Sequence, residues 1–227
     1  MKADGARDAG RDTRARLLVA AGELFATRGF HGTTIREIAA RAHVNVAAGH
    51  YHCGSKKALY LEVLREEFAR IWARLDTSGT RRAPRGLDRL SRRQLEALLQ
   101  ARIRVMLDVM VGPARTIHST LVLREMLDPS EAVAVIVDEF IRPMSAELGE
   151  IVRRLEPSLP PDAVERCVMS LVGQAIFYRS CMPAVLRLWK RDTFAPALLD
   201  RIADHVGRFS AGGVARVGRT RREAVRG

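Results

Sequence analysis

Residues 33–64 read "TTIREIAARAHVNVAAGHYHCGSKKALYLEVL", and their punctuation decides the fold. Thr34 and Glu37 stand three apart, the spacing at which a hydroxyl and a carboxylate cap a helix start reciprocally. Ile35, Ile38 and Ala39 then share one face of a short helix. "HVN" is a turn, Asn45 is a candidate N-cap for a second short helix rich in small side chains, and Ser55 caps a longer third one. The apolar stripe of that long helix is Leu59, Tyr60, Val63, Leu64, Phe68, Ile71, Trp72 and Leu75. Two short helices joined by a tight turn are the geometry of a helix-turn-helix, whose second helix enters the major groove of DNA. Ala47, Ala48 and Gly49 let that backbone approach the base edges. Lys56, Lys57, Thr33 and Thr34 lie at helix N-termini, where free backbone donors attract phosphate.

Two other readings fit less of the stretch. Gly49 and Gly54 followed by Ser55 and Lys56 invert the Lys-then-Ser order of a P-loop, and no strand precedes them. His50 and Cys53 are three apart, with His43 and His52 nearby, and all are metal-ligand types. No HExxH signature or second cysteine pair accompanies them, so no metal is expected.

Outward from this stretch the pattern stays helical. Leu17, Leu18, Ala21, Leu24 and Phe25 recur at helical spacing after Asp12 or Thr13 as N-cap, and Gly29 closes that helix. Ser91 and Gln94 form another capping-box pair, "RTIHSTLVLREML" is helical, and Pro143 interrupts "SEAVAVIVDEFIRPMSAELGEIVRRL" with an expected kink. "DAVERCVMSLVGQAIFYRSCM" and "FAPALLDRIADHVGRFSAG" complete the set, and the absence of alternating patterns makes the class all-α. The expected organisation is a flexible tail at 1–10, a DNA-binding domain at 11–57 whose last helix continues to about 75, a linker at 76–90, a ligand-binding and dimerisation domain at 91–211, and a basic tail at 212–227. The linker and tail arginines read as solvated runs rather than specific contacts.

Lys and Arg number 38 against 26 Asp and Glu, a formal charge of +12, which favours a polyanionic partner. Three widely spaced cysteines, Cys53, Cys167 and Cys181, argue for reduced thiols. No apolar run approaches the roughly 18 to 20 residues that cross a bilayer, and the first residues lack a secretory h-region. A cytoplasmic protein is expected, nucleoid-associated when on DNA, with no membrane partner. No GxSxG, strand-linked GxGxxG or HExxH motif is present, so neither an enzyme nor a cofactor is expected.

"FATRGFHGTTIREIAARAHVNVAAGHYHCGSKKALYLEVL" resembles the DNA-binding region of the TetR family of bacterial transcriptional regulators. Gly29, Thr34, Ile38, Ala39, Val44, His52, Ser55, Lys56 and Leu59 fall in the family's register without a gap. "REMLDPSEAV", "EFIRPM" and "SLVGQAIFYRSCMPAVLRL" resemble the subfamily named for the CecR regulator. The resemblance implies a homodimer whose last two long helices build a four-helix bundle, a small-molecule pocket in each carboxy-terminal domain, and an operator released on ligand binding. The residues expected on DNA are Thr33, Thr34, Arg36, Asn45, Val46, Ala47, Ala48, Gly49, His50, Tyr51, His52 and Lys56. A ligand pocket is sought among Met106, Met110, His118, Gln174, Tyr178 and Met182, polar or adaptable groups on apolar helices.

Four positions depart from the family pattern. His43 stands for a turn glycine, Gly49 for an apolar anchor, His50 for a tyrosine or asparagine, and Cys53 for a phenylalanine. Gly49 and Cys53 are one helical turn apart, so the expectation is a recognition helix loosely held until DNA orders it. His50 and His52 are expected to tighten DNA binding near pH 6 relative to pH 8, and Cys53 admits a redox reading beside a small-core-residue one. The rival to a ligand-responsive repressor is a degenerate family member, a small-molecule or protein binding module without specific DNA readout.

Overall fold

The computed structural model describes residues 2–47, 51, 54–77, 87–112 and 117–226, and all regular structure among them is helical. The helices are α1 (Lys2–Arg28), α2 (Ile35–Arg41), α3 (Lys56–Thr77), α4 (Arg92–Val111), α5 (Ile117–Leu127), α6 (Ala132–Ile136), α7 (Arg142–Leu155), α8 (Pro161–Ser180), α9 (Met182–Leu188) and α10 (Pro196–Arg226). A 3₁₀ turn at Leu87–Arg89 precedes α4. They form two compact units, residues 1–70 with 116–140, and residues 71–115 with 141–227.

In the first unit, α1 packs on α2 and α5. Leu17, Ala21, Phe25, Ile38, Ala39, Leu59, Tyr60, Leu64, Leu121 and Ile136 are buried, which is the apolar stripe read from the sequence joined by two residues from α5 and α6. Phe25 meets the Tyr60 ring edge-on at 4.7 Å, a favoured aromatic arrangement. α1 begins at Lys2 rather than after Asp12 or Thr13. Asp12 takes Arg16, one turn on, as an ion-pair partner at 3.1 Å, so its carboxylate supports the helix from within instead of capping it.

The second unit is built on one broad apolar cluster. Leu95, Leu99, Ile103 and Leu107 of α4, Leu148, Ile151 and Val152 of α7, Val164, Val168 and Leu171 of α8, and Leu199, Ile202 and Val206 of α10 are its body. Among the described residues, α4 and α10 make the most extensive helix contact. Inside it Arg102 of α4 and Glu147 of α7 form an ion pair with side chains only 3% and 8% exposed, and Arg102 also donates to the Leu75 carbonyl at 3.3 Å.

Three sequence expectations change. Residues 116–140 belong with the amino-terminal unit and not with a 91–211 domain, because their polar and apolar partners lie on α1 and α3. The residues from 212 onward are not a separate tail, since α10 continues to Arg226. Gly218 there is buried against Glu156, so close that a Cβ would stand 2.4 Å from the Glu156 side chain. Higher up the same helix Gly207 lies on Gln100, with a Cβ position 3.3 Å away. Pro143 does interrupt its helix, but the widening falls at Val137–Ile141, a turn of π-helix before α7. The proline ring acts on the carbonyl four residues back and removes one amide donor, so the ladder loosens upstream of the residue that causes it. Arg81, Arg82 and Arg85 of the expected linker lie outside the described residues.

Candidate nucleic-acid interface

The start of α2 is fixed by the pair read from the sequence. Thr34 is extended, its hydroxyl oxygen accepts from the Glu37 amide at 3.2 Å, and Glu37 accepts from the Thr34 amide at 2.9 Å. The Thr34 hydroxyl bond, then the backbone bond, hold the Glu37 carboxyl below its usual range, with Arg28 adding a nearby positive charge. Thr33 is a different case. It is wholly buried, and its hydroxyl donates to the Gly29 carbonyl at 2.9 Å, so it fixes the turn out of α1 and has no hydroxyl left for phosphate.

α2 ends in a Schellman motif: the Val44 amide donates to the Ala39 carbonyl at 2.9 Å and the His43 amide to Ala40 at 3.2 Å. This closure needs a left-handed residue, and His43 occupies it at φ 55°. Gly29 closes α1 in the same region at φ 77°. The sequence departure at His43 is therefore a real backbone cost, in a position where glycine is at ease.

Asn45 caps the segment after the turn, its side-chain oxygen accepting from the Ala47 amide at 2.9 Å. Asn45, Val46 and Ala47 are exposed, and Tyr51 is 86% exposed. Ala48, Gly49, His50, His52 and Cys53 lie outside the described residues, and with them the expectations about a loosened helix, histidine contacts and a reactive thiol. Arg36 is exposed. Ser55 accepts from the Ala58 amide at 3.0 Å as the cap of α3. Lys56 is turned inward: its ammonium donates to the Phe30 carbonyl at 3.0 Å and sits 4.3 Å from that ring's centre. Lys57, its neighbour, is 54% exposed and ion-paired with Glu131.

Sequence reasoning missed the buried carboxylate that ties this unit together. Glu125, 2% exposed, accepts from the Tyr60 hydroxyl at 2.9 Å, from the Ser130 amide at 3.0 Å and from the Ser130 hydroxyl at 2.9 Å. Burial first, then the Glu125 acceptor and its charge, push the Tyr60 hydroxyl well above the usual tyrosine range. The signal was an acid one turn after Leu121, on the apolar side of α5. Arg102 carried a similar signal in the second unit, three residues past Leu99 and four before Met106.

The six residues sought as a ligand pocket do not gather in one place. Met106 is in the core of the second unit, and Met110, Tyr178 and Met182 pack against it. The Tyr178 ring meets Phe194 edge-on at 6.1 Å and Trp189 at a tilt at 6.0 Å. Gln174 is elsewhere, in a cleft of about 230 Å³ between α8 and α10, where its amide donates to the Ser210 hydroxyl at 3.1 Å. His118 belongs to the other unit, and its side chain is outside the described set. Among the described residues no three His, Cys, Asp or Glu side chains are grouped to hold a metal, and no helix is long and apolar enough to cross a membrane.

Residues 17–63 match the family model for bacterial regulatory proteins of the TetR family, and residues 95–214 match the model for the C-terminal domain of the HTH-type transcriptional dual regulator CecR. The HTH-type transcriptional activator FasR of Mycolicibacterium smegmatis is 37% identical over 90 residues, 40% of this chain but only 38% of that protein's length. A transcriptional regulator from Rhodococcus sp. Rha1 superposes with a TM-score of 0.60 at 20% identity, covering 88% of this chain and 96% of its own. HlyIIR, a hemolysin II transcriptional regulator, gives 0.52 at 22% identity over 86% and 97%. At such identities the two structures speak for the fold.

Proposed function

Because the chain belongs to the TetR family of bacterial transcriptional regulators, with a C-terminal part of the CecR type, we propose that it acts as a homodimeric repressor. It sits on a palindromic operator and leaves it when a small-molecule effector binds. The observation that carries the DNA reading is the segment after α2. A doubly capped helix and a closed turn present Asn45, Val46 and Ala47 to solvent, and Tyr51 is 86% exposed; exposed side chains of this kind suit contact with a partner. Thr34, Arg36 and the neighbouring residues up to His52 complete the DNA-facing set, from which buried Thr33 and inward-turned Lys56 are withdrawn.

Dimerisation is supported by the outer faces of α8 and α10. Met169, Phe177, Phe209 and Val217 are 54%, 54%, 65% and 46% exposed, a run of apolar side chains of the kind that marks an interface. Two such helices from each copy make a four-helix bundle, and a two-fold dimer reads a palindrome. Repression is the direction that occupancy of a promoter gives by exclusion alone, with no contact to polymerase required. An apolar effector suits Met106, Met110, Tyr178 and Met182, whose surroundings are hydrophobic.

Affinity selection of genomic fragments by the purified protein, across a salt series, tests the reading. A recovered palindrome whose occupancy lowers transcription in vitro is the expected result. Sequence-independent binding alone, falling steeply with salt, would favour the degenerate member whose helical unit binds small molecules or proteins.

A further inference from the structure

Lys56 and Lys57 share one helix start, yet the surroundings of the two differ. The Lys56 ammonium is held by a carbonyl and a ring, and breaking both would expose apolar surface. Among the described residues Lys57 has one exchangeable partner, the carboxylate of Glu131, which is itself 76% exposed. Seventy-four residues separate the two in sequence, so the pair is no accident of helical spacing.

Both partners are anchored to the same buried group. Glu125 bonds the Ser130 amide and hydroxyl, and Ser130 in turn accepts from the Ala132 amide at 3.2 Å, which places Glu131 between two fixed residues. Glu125 also accepts from Tyr60, one helical turn beyond Lys57 on α3. A cleft of about 440 Å³ lined by Phe30, His31, Lys57, Tyr60, Ser130 and Glu131 leaves space beside the pair. Like a phosphate oxygen, the Glu131 carboxylate is an anionic acceptor, and it occupies the lysine ammonium just past the helix-turn-helix.

We propose that Glu131 is an autoinhibitory contact: it occupies Lys57 in the free protein and yields it to a DNA phosphate on binding. Any shift of the Glu125-anchored turn then changes DNA affinity without altering the reading residues. The inference rests on the DNA-binding reading above.

The test is a titration of wild type, Glu131→Gln, Lys57→Gln and the double variant against one labelled duplex, repeated over a range of salt. Glu131→Gln is expected to bind about two- to fivefold tighter, the range of an exposed ion pair. Lys57→Gln is expected to bind more weakly, with the slope of log affinity against log salt reduced by about 0.9. The double variant is expected to match Lys57→Gln. Equal tightening by Glu131→Gln in both backgrounds would reduce Glu131 to long-range repulsion and overturn the proposal. An unchanged slope in Lys57→Gln would overturn it too, by removing the phosphate contact. Absence of any duplex binding by wild type would instead defeat the DNA reading, before a variant is made.

Discussion

The two units bury a carboxylate in opposite ways. Glu125 of the first unit is surrounded by neutral donors, a tyrosine hydroxyl, a serine hydroxyl and an amide. Glu147 of the second meets the guanidinium of Arg102 inside a broad apolar cluster. A buried ion pair is unforgiving, because removal of either partner leaves a charge with no water to solvate it. A carboxylate held by neutral donors loses one bond at a time and can rearrange. The second unit is thereby built to stay as it is, and the first is built to tolerate small movement, which suits the part that must meet another molecule.

The hardest blow to that contrast is Arg102→Met. It should cost about 3 to 5 kcal/mol in denaturant unfolding, while Arg102→Met with Glu147→Leu should recover most of the loss. If the single variant is nearly neutral, the second unit is as adaptable as the first. Glu125→Gln comes next, at about 1 to 3 kcal/mol, since an amide presents a donor where three donors already point. Amide exchange at Ser130 should speed up in that variant, and unchanged exchange would mean the carboxylate is not what fixes the turn. His43→Gly should go the other way, gaining about 1 kcal/mol by relieving a left-handed residue, and calorimetry on the pair of proteins would read it. The smallest effect is on acid stability. Because the Thr34 bonds hold Glu37 below its ordinary value of 4.5, the capping box contributes fully above that pH. Its contribution is lost as pH falls through the lower folded-state value. Glu37→Gln should slightly lower the neutral part of the curve of melting temperature against pH and leave its acid end unmoved, so that the acid limb flattens.

What could be read from the sequence was what one element states about itself. Thr34 with Glu37, Ser91 with Gln94, Asn45, Ser55 and the stripe from Leu59 to Leu75 all declare their roles within a few residues, and all took the places read for them except Trp72, which is only half-buried. The roles that escaped depend on distant partners. Tyr60 finds Glu125 across 65 residues and Arg102 finds Glu147 across 45, and spacing carries no information about such meetings. Thr33 was misread for a related reason. Beside a helix start it looks like a second capping hydroxyl, and only the path of α1 shows that the Leu24 and Gly29 carbonyls claim it. Asn45 and Tyr51, proposed for DNA, are exposed, while the residues sought as a pocket scattered because a methionine on an apolar helix looks the same in a pocket and in a core.

Gly207 and Gly218 work as two notches on a ruler. They are eleven residues apart, about 16 Å along α10, and each admits one fixed neighbour, Gln100 at the first and Glu156 at the second. Slide the helix by one residue and a side chain is driven into both notches at once. The number of residues between them is thus fixed by the packing as strictly as any side chain. A one-residue insertion there would do more harm than many substitutions, although it would alter no charge and remove no contact by name.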